Sequence, residues 1–290
     1  MALKRSTVFD FANVAFLAIL GFVVAYPFLY TVSISISNPR AVALGEVLLL
    51  PKGLDVTGYR QVIQSPRIWM SYKNTVLYSA VGTVVRVLLL MITSYPLSRA
   101  KFPGRTFFTF LIGFTMLFGG GLVPTFLVVR GLGLIDTIWA IVIPGALSAY
   151  NIIIVRTFFQ TTIHPSLEES AMLDGANDLH ILIRVVLPLS APIVAVMSLF
   201  TAVGIWNDYF TPMLYLKSDW KYPLTMILRD IVIMAQGREF LGLQELQFQR
   251  IPPQSVQAAT LIISMIPIML VYPFIQKYFV KGIMIGAIKG

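Results

Sequence analysis

An all-α membrane protein with six transmembrane helices is the fold class this sequence predicts, and three observations predict it. Its 290 residues are 57% hydrophobic and only 12% charged, against about 25% charged for an ordinary soluble domain. Six apolar stretches each approach or exceed the roughly 20 residues that a helix needs to cross a bilayer. Short segments bearing Lys and Arg recur on one side of those stretches, as they do in cytoplasmic loops.

The stretches run roughly 10–35, 73–98, 106–130, 134–158, 189–216 and 256–280. The first follows Lys4 and Arg5 and is about 25 residues long, beyond the 7–15-residue core of a cleavable signal. It is read as an uncleaved span that starts in the cytoplasm. Between the second and third, the tight SRAKFPGR segment carries Arg99, Lys101 and Arg105, and Lys277, Lys281 and Lys289 close the chain. An even number of spans puts all three basic sites on one side, so both termini are cytoplasmic. Whole-loop counts show no such bias. The short loops govern, because long ones translocate largely regardless of charge.

Two outer loops are substantial, residues 36–72 and about 217–255. The chain therefore divides into 1–35 (N-terminus and first span), the outer loop 36–72, and a core of five spans over 73–290. The second loop holds QGREFLGLQELQFQRIPPQ and is too long for a plain connector. It reads as a docking surface for an external partner through Arg238, Gln244, Gln247 and Arg250, with a solvated loop as the alternative.

Several chemistries drop out. With no cysteine there is neither a disulfide nor a thiolate metal site. No G-x-x-x-x-G-K-[ST] loop occurs, so the chain should bind no nucleotide itself. His164 and His180 lack a metal-site pattern and read as loop and surface residues, and no pair of acids has glycosidase spacing, so no catalytic or metal residue is assigned. The net charge of +9 follows from loop topology, and without a basic block interleaved with aromatics nucleic acid is not a partner.

The stretch EESAMLDGANDLHILIRVVLPLSAP, residues 168–192, is polar between two apolar runs. Ser166 with Glu169 three residues on has the form of a capping box. Gly175 suits a helix end, where φ turns positive. Asn177 or Asp178 suits a second helix start. Leu179, Leu182, Ile183 and Val186 then share one face, and Pro188 ends the helix or begins the next span. Two short helices on the cytoplasmic side follow. The residues alone leave two readings, a hairpin lying in the headgroups or a helix offered to a partner's groove.

The order Glu169-Ser170-Ala171, Asp174-Gly175-Ala176, Leu187-Pro188 closely resembles the EAA loop of ATP-binding-cassette importer permeases, with Ser170 where the usual form has Ala. The segments NTVLYSAVGT, SYPLSRAKFPGR, GGGLVPTFLVVRGLGLIDTIWAIVIPGAL, WNDYFTPMLYL and VKGIMIGAIKG extend the resemblance over most of the chain, to carbohydrate-uptake permeases of the maltose-transporter class. GGGLVP and the C-terminal tail are most similar to a subgroup for complex oligosaccharides, including uronic-acid polymers such as alginate.

That resemblance implies the transmembrane domain of a type I importer, multi-pass in a bacterial inner membrane. It implies a second homologous permease, two ATPase subunits that bind ATP and Mg, an extracytoplasmic solute-binding protein, surrounding lipid and an oligosaccharide substrate. No cofactor is expected in this chain. The loop at about 161–190 would be the coupling element, docked in a cleft of the ATPase through Glu168, Glu169, Ser170, Ala171, Asp174, Gly175, Ala176, Leu187 and Pro188. Glu168, Glu169 and Asp174 would offer acceptors to partner Arg or Lys, and the C-terminal tail would lie near the same interface.

Within the spans, Arg86 is read as a pathway cation for an anionic sugar, as half of an ion pair with a neighbouring helix, for which Asp208 is a candidate partner, or as a snorkelling side chain. Gly119, Gly120 and Gly121 before Pro124 weaken a helix and suit a hinge or pathway wall, or else close helix packing. Trp206, Asn207, Asp208 and Tyr209 are pathway candidates, though Trp and Tyr also populate interfacial belts. The outer loops are mildly basic, through residues such as Lys217 and Lys221, and would concentrate anionic oligosaccharides or meet an acidic binding protein. An ion-driven secondary transporter would want acids or broken helices repeated in both halves. An enzyme acting on lipid-linked sugar is the other rival.

Overall fold

The computed structural model describes residues 7–240 and 254–270, and among them every regular element is helical. The chain forms two compact units, Met1–Trp69 with Ile227–Ile266, and Met70–Met226 with Pro267–Gly290.

In the first unit, α1 (Thr7–Ser35) is apolar all round and buries none of its most apolar window. A helix of that kind needs lipid or a partner around it. Beyond it the chain folds back on itself. Ser33 Oγ donates to the Leu49 carbonyl at 2.6 Å, and Asn38 N to the Lys52 carbonyl at 2.9 Å. The Asn38 side chain caps α2 (Pro39–Ala43), and α3 (Thr57–Gln64) follows. Gly58 lets α3 approach α15 (Gln254–Leu270) closely, since a Cβ there would stand 3.1 Å from the Ser255 carbonyl. Arg67, in the first turn of α4 (Pro66–Ser98), reaches Asp230 of α14 (Leu224–Phe240) at 3.4 Å.

The second unit holds most of α4, then α5 (Arg105–Leu117), α6 (Leu122–Gly131), α7 (Trp139–Val142), α8 (Ala149–Thr162), α9 (Pro165–Leu173) and α10 (Asp178–Ile181). A π-helical turn at Leu182–Val186 leads through α11 (Leu187–Leu189) into α12 (Ala191–Asn207) and α13 (Phe210–Tyr215). Its main core joins Leu90, Met91 and Tyr95 of α4 with Val155 and Phe159 of α8, Ile181 and Val186, and Met197 of α12. Where lipid surrounds such helices, close packing rather than water exclusion holds them together.

Among the described residues two helices are long and apolar enough to cross a membrane, Val8–Ser35 and Pro66–Ser98. Two bent pairs would each add a span, Arg105–Leu117 with Leu122–Gly131 at 118° and Asp178–Leu189 with Ala191–Asn207 at 83°. The apolar runs are thus more broken than composition suggests. The 106–130 run breaks at the glycine triplet, where Gly121 has φ +82°. The 134–158 run is two helices parted by Ile143–Ser148, because Pro144 lacks an N–H and Gly145 takes φ +69°. The 189–216 run ends its long helix at Asn207, and α4 starts at Pro66, ahead of residue 73. Much of the 217–255 segment is helix α14, so it is not a plain loop.

Candidate functional site

Three groups of side chains in the second unit carry chemistry, at the polar loop, in the middle of α4 and around Asp136.

The polar loop is two capped helices, as expected, but the first cap differs. His164 is the N-cap of α9, with Nδ1 accepting from Ser166 N at 3.3 Å. Pro165 occupies the first helical position, where its fixed φ favours initiation, so the helix starts before Ser166 and no Ser166–Glu169 capping box forms. The far end follows expectation. Gly175 has φ +81°, its N–H meets the Met172 carbonyl at 3.0 Å, and Ala176 N meets Ala171 O at 3.0 Å. A Cβ on Gly175 would meet nothing within 4 Å, so the left-handed backbone, not crowding, calls for glycine. Asn177 caps α10 by accepting from His180 N at 2.9 Å; Asp178 lies inside the helix.

The loop has an inner and an outer face. Glu169, Ser170, Asp174 and Pro188 are exposed, while Ala171, Ala176 and Leu187 are half-buried against the main core. Glu168 turns inward. Its carboxylate meets Arg99 at 2.5 Å, with side-chain exposures of 9% and 19%. Burial pushes its pKa up although the Arg99 charge pulls it down. Glu168 is therefore an internal acceptor within this chain, turned away from the face that Glu169 exposes. The shared apolar face of the second helix also splits, with Leu182 and Val186 buried but Leu179 and Ile183 exposed. Met172 and Leu173, missed in the sequence reading, are exposed beside Glu169, Leu173 by 89%. Their signal was present, since two large apolar residues on a polar turn suit a contact surface.

In the middle of α4, Arg86 serves the break between α7 and α8. Nε donates to Val142 O at 3.0 Å, and Nη2 to Ile141 O at 2.7 Å and Pro144 O at 3.0 Å. These carbonyls lose helical partners where the chain breaks, and the guanidinium fork supplies donors in their place. The expected ion pair with Asp208 does not form. Asp208 instead accepts from Thr211 N at 3.0 Å and starts the turn into α13. Trp206 packs edge-on to Tyr72 with centroids 6.0 Å apart, Asn207 ends α12, and Tyr209 is exposed.

Asp136, inside an expected span, is instead the centre of a clamp. It takes φ 61°. Its carboxylate accepts from Lys217 N and Ser218 N at 3.0 Å, and from Ser218 Oγ and Lys221 Nζ at 2.7 Å. The Lys221 donor, with the other three, holds its pKa well below the usual carboxylate range. Lys221 is thereby neutralised as an attractor of anions. Its carbonyl accepts from Tyr78 of α4 at 2.8 Å, and the Trp220 carbonyl accepts from Asn74 at 2.7 Å.

Among the described residues no three His, Asp or Glu side chains gather to hold a metal ion. Arg238 lies on α14. Gln244, Gln247, Arg250 and the C-terminal tail lie outside the described residues.

No family model matches the chain. The polygalacturonan/rhamnogalacturonan transport system permease protein YtcP of Bacillus subtilis is 40% identical over 287 residues, covering 99% of this chain and 100% of that one. A chain in the crystal structure of a bacterial ABC transporter involved in the import of the acidic polysaccharide alginate matches with TM-score 0.87 and 37% identity, over 96% of this chain and 99% of that one. A chain of a bacterial alginate ABC transporter in complex with an alginate pentasaccharide-bound periplasmic protein shares the fold, with TM-score 0.54 and 17% identity over 92% and 93% of the two chains.

Proposed function

Because this chain belongs to the permease subunits of ATP-binding-cassette oligosaccharide importers, we propose that its own cargo is an acidic, uronate-containing oligosaccharide. It is a membrane transport component and not an enzyme. The polymers named for its relatives support the acidic cargo, because polygalacturonan and alginate both carry a carboxylate on their uronic-acid sugars.

The observation that carries the mechanism is the outward face of α9. Glu169, Met172 and Leu173 are exposed on a short helix whose other side is fixed to the core. Such a surface suits a groove on a soluble partner. In this reading two ATPase subunits bind ATP and Mg, and their closure moves α9 through Glu169, Ser170, Asp174 and the loop ending at Leu187 and Pro188. A second permease completes the path, and a solute-binding protein delivers cargo from outside. The binding-protein complex of a fold neighbour supports that last partner.

The same reading gives the chain six spans in a bacterial inner membrane, with both termini cytoplasmic. The first span ends near residue 35, the outer loop covers 36–72 and the permease core 73–290. The coupling loop at about 161–190 faces the cytoplasm, and the segment at about 217–255, with Arg238, Gln244, Gln247 and Arg250, faces the binding protein. The break at Gly119, Gly120 and Gly121 acts as a hinge, and Trp206, Asn207, Asp208 and Tyr209 line the path. Arg86 sits beside that path as a bracket for the α7–α8 break.

A screen of ATP hydrolysis by the reconstituted complex tests this. Uronic-acid oligosaccharides presented with the binding protein should stimulate hydrolysis, and neutral ones of equal length should not. Stimulation by neutral sugars alone would overturn the acidic cargo. Uptake that survives an inactivated ATPase would overturn the importer mechanism.

A further inference from the structure

We infer that the two adjacent glutamates of the coupling loop divide its work, with Glu169 facing the ATPase and Glu168, through Arg99, acting as the positioning residue that ties α9 to the inner end of α4. This rests on the coupling-loop reading above.

Neighbouring helical residues point about 100° apart. On α9 that difference separates an exposed Glu169 from a Glu168 whose carboxylate meets Arg99 at 2.5 Å. Arg99 follows the last residue of α4. Its guanidinium lies 4.7 Å from the centre of the Tyr95 ring, and Tyr95 stands edge-on to Phe159 with centroids 6.5 Å apart. Phe159 is fully buried. A continuous stack therefore runs from the core of α8 through Tyr95 and Arg99 to the carboxylate on α9.

The charges decide which role Glu168 can take. A solvent-exposed pair would contribute little. This pair is largely withdrawn from water, so removing either partner strands a buried charge. Recruiting Glu168 to an ATPase arginine would require breaking that pair in every cycle. Glu169 faces no such conflict. Arginine suits position 99 better than lysine because one planar group can accept a ring face and a carboxylate together. Two further bonds fix the same corner, Arg156 Nε to Leu97 O at 3.0 Å and Gln160 Nε2 to Ser98 O at 3.2 Å. The end of α4 is thus held to α8, and the ion pair ties it to the charged face of α9 as well.

The test uses the complete importer in vesicles, with Glu168→Gln, Arg99→Gln, the double variant and Glu169→Gln. Two quantities are read, the ATPase subunit retained on the purified permease and the uptake per ATP hydrolysed. Glu169→Gln should lose ATPase retention. Glu168→Gln and Arg99→Gln should keep it, yet lower uptake per ATP by about five- to tenfold, the lower end of typical intersite coupling. The double variant should be no worse than either single one, because the two groups act as a unit. Shedding of the ATPase by Glu168→Gln to the extent seen for Glu169→Gln overturns the assignment, and so do additive losses. If a single variant fails to reach the membrane, the charge-reversed pair Arg99→Glu/Glu168→Arg decides. Recovery of membrane level and uptake above the singles supports the pair, and no recovery overturns it. A native complex that recruits no ATPase would instead sink the importer reading itself, which keeps the two failures distinct.

Discussion

Asp136 adopts a left-handed backbone that few residues other than Gly, Asn and Asp accept readily. Its carboxylate offsets that strain by collecting Lys217 N, Ser218 N, Ser218 Oγ and Lys221 Nζ. Asp136→Asn tolerates the same backbone and keeps a carbonyl acceptor, so it isolates the charge. We expect it to lower the stability of the detergent-solubilised protein near neutral pH by about 1 kcal/mol, a modest figure because the pair is partly solvent-screened. Since the folded-state pKa is depressed, that stabilisation is present above the unfolded value of about 3.8 and fades as pH falls below it toward the folded value. Melting curves should therefore differ between native and variant at pH 7 and converge under acid. A gap that stays constant through the acid range would disprove the charge effect. None of this was legible in sequence, because the partners lie up to 85 residues away and an isolated Asp among apolar residues looks like an intramembrane acid. The division between Glu168 and Glu169 was hidden for another reason. Two neighbouring acids are equivalent in a string of letters, and only the position of Arg99 turns one inward.

Local backbone chemistry was far more readable. The bend at Gly175, the cap at Asn177 and the interruption at Gly119–Gly121 each follow from residue types with one dominant conformational use. The start of α9 was harder, because histidine is an unusual cap and the Ser-x-x-Glu pattern beside it is a familiar one. The break at Ile143–Ser148 was missed because the apolar run masks Pro144 and Gly145. Gly175 gives a graded test. Gly175→Ala has open space and faces only the cost of a left-handed backbone, about 1–2 kcal/mol. Gly175→Pro also removes the N–H that meets Met172 O and requires a negative φ. Alanine should leave uptake per ATP near native in the reconstituted importer, and proline should lower it at least severalfold while the complex stays assembled. Binding-protein-stimulated hydrolysis that remains fully coupled in the proline variant would refute a lever hinged there.

For the chain as a whole, α1 and α4 were legible because each is one long apolar run. The remaining apolar runs were less so, since short helices and sharp bends share the composition of straight ones. Thiol accessibility reads the topology directly, because the native chain has no cysteine. A membrane-impermeant maleimide should label Lys101→Cys only from the cytoplasmic side and Lys217→Cys only from outside. Labelling of both from one side would refute the six-span arrangement. One consequence of α4 concerns kinematics. Asn74 and Tyr78 bond to the 220–222 turn, Arg86 to the end of α7, and Arg99 to α9. From Asn74 to Arg99 is about 38 Å of helix at ~1.5 Å per residue. A beam pinned at three heights to three different neighbours keeps neither axial sliding nor rotation about its own axis as a cheap freedom. One residue of slip would break every pin together. The motion left to it is rigid-body tilting in company with those neighbours, so a displacement of α9 at one end arrives at the other as an angle.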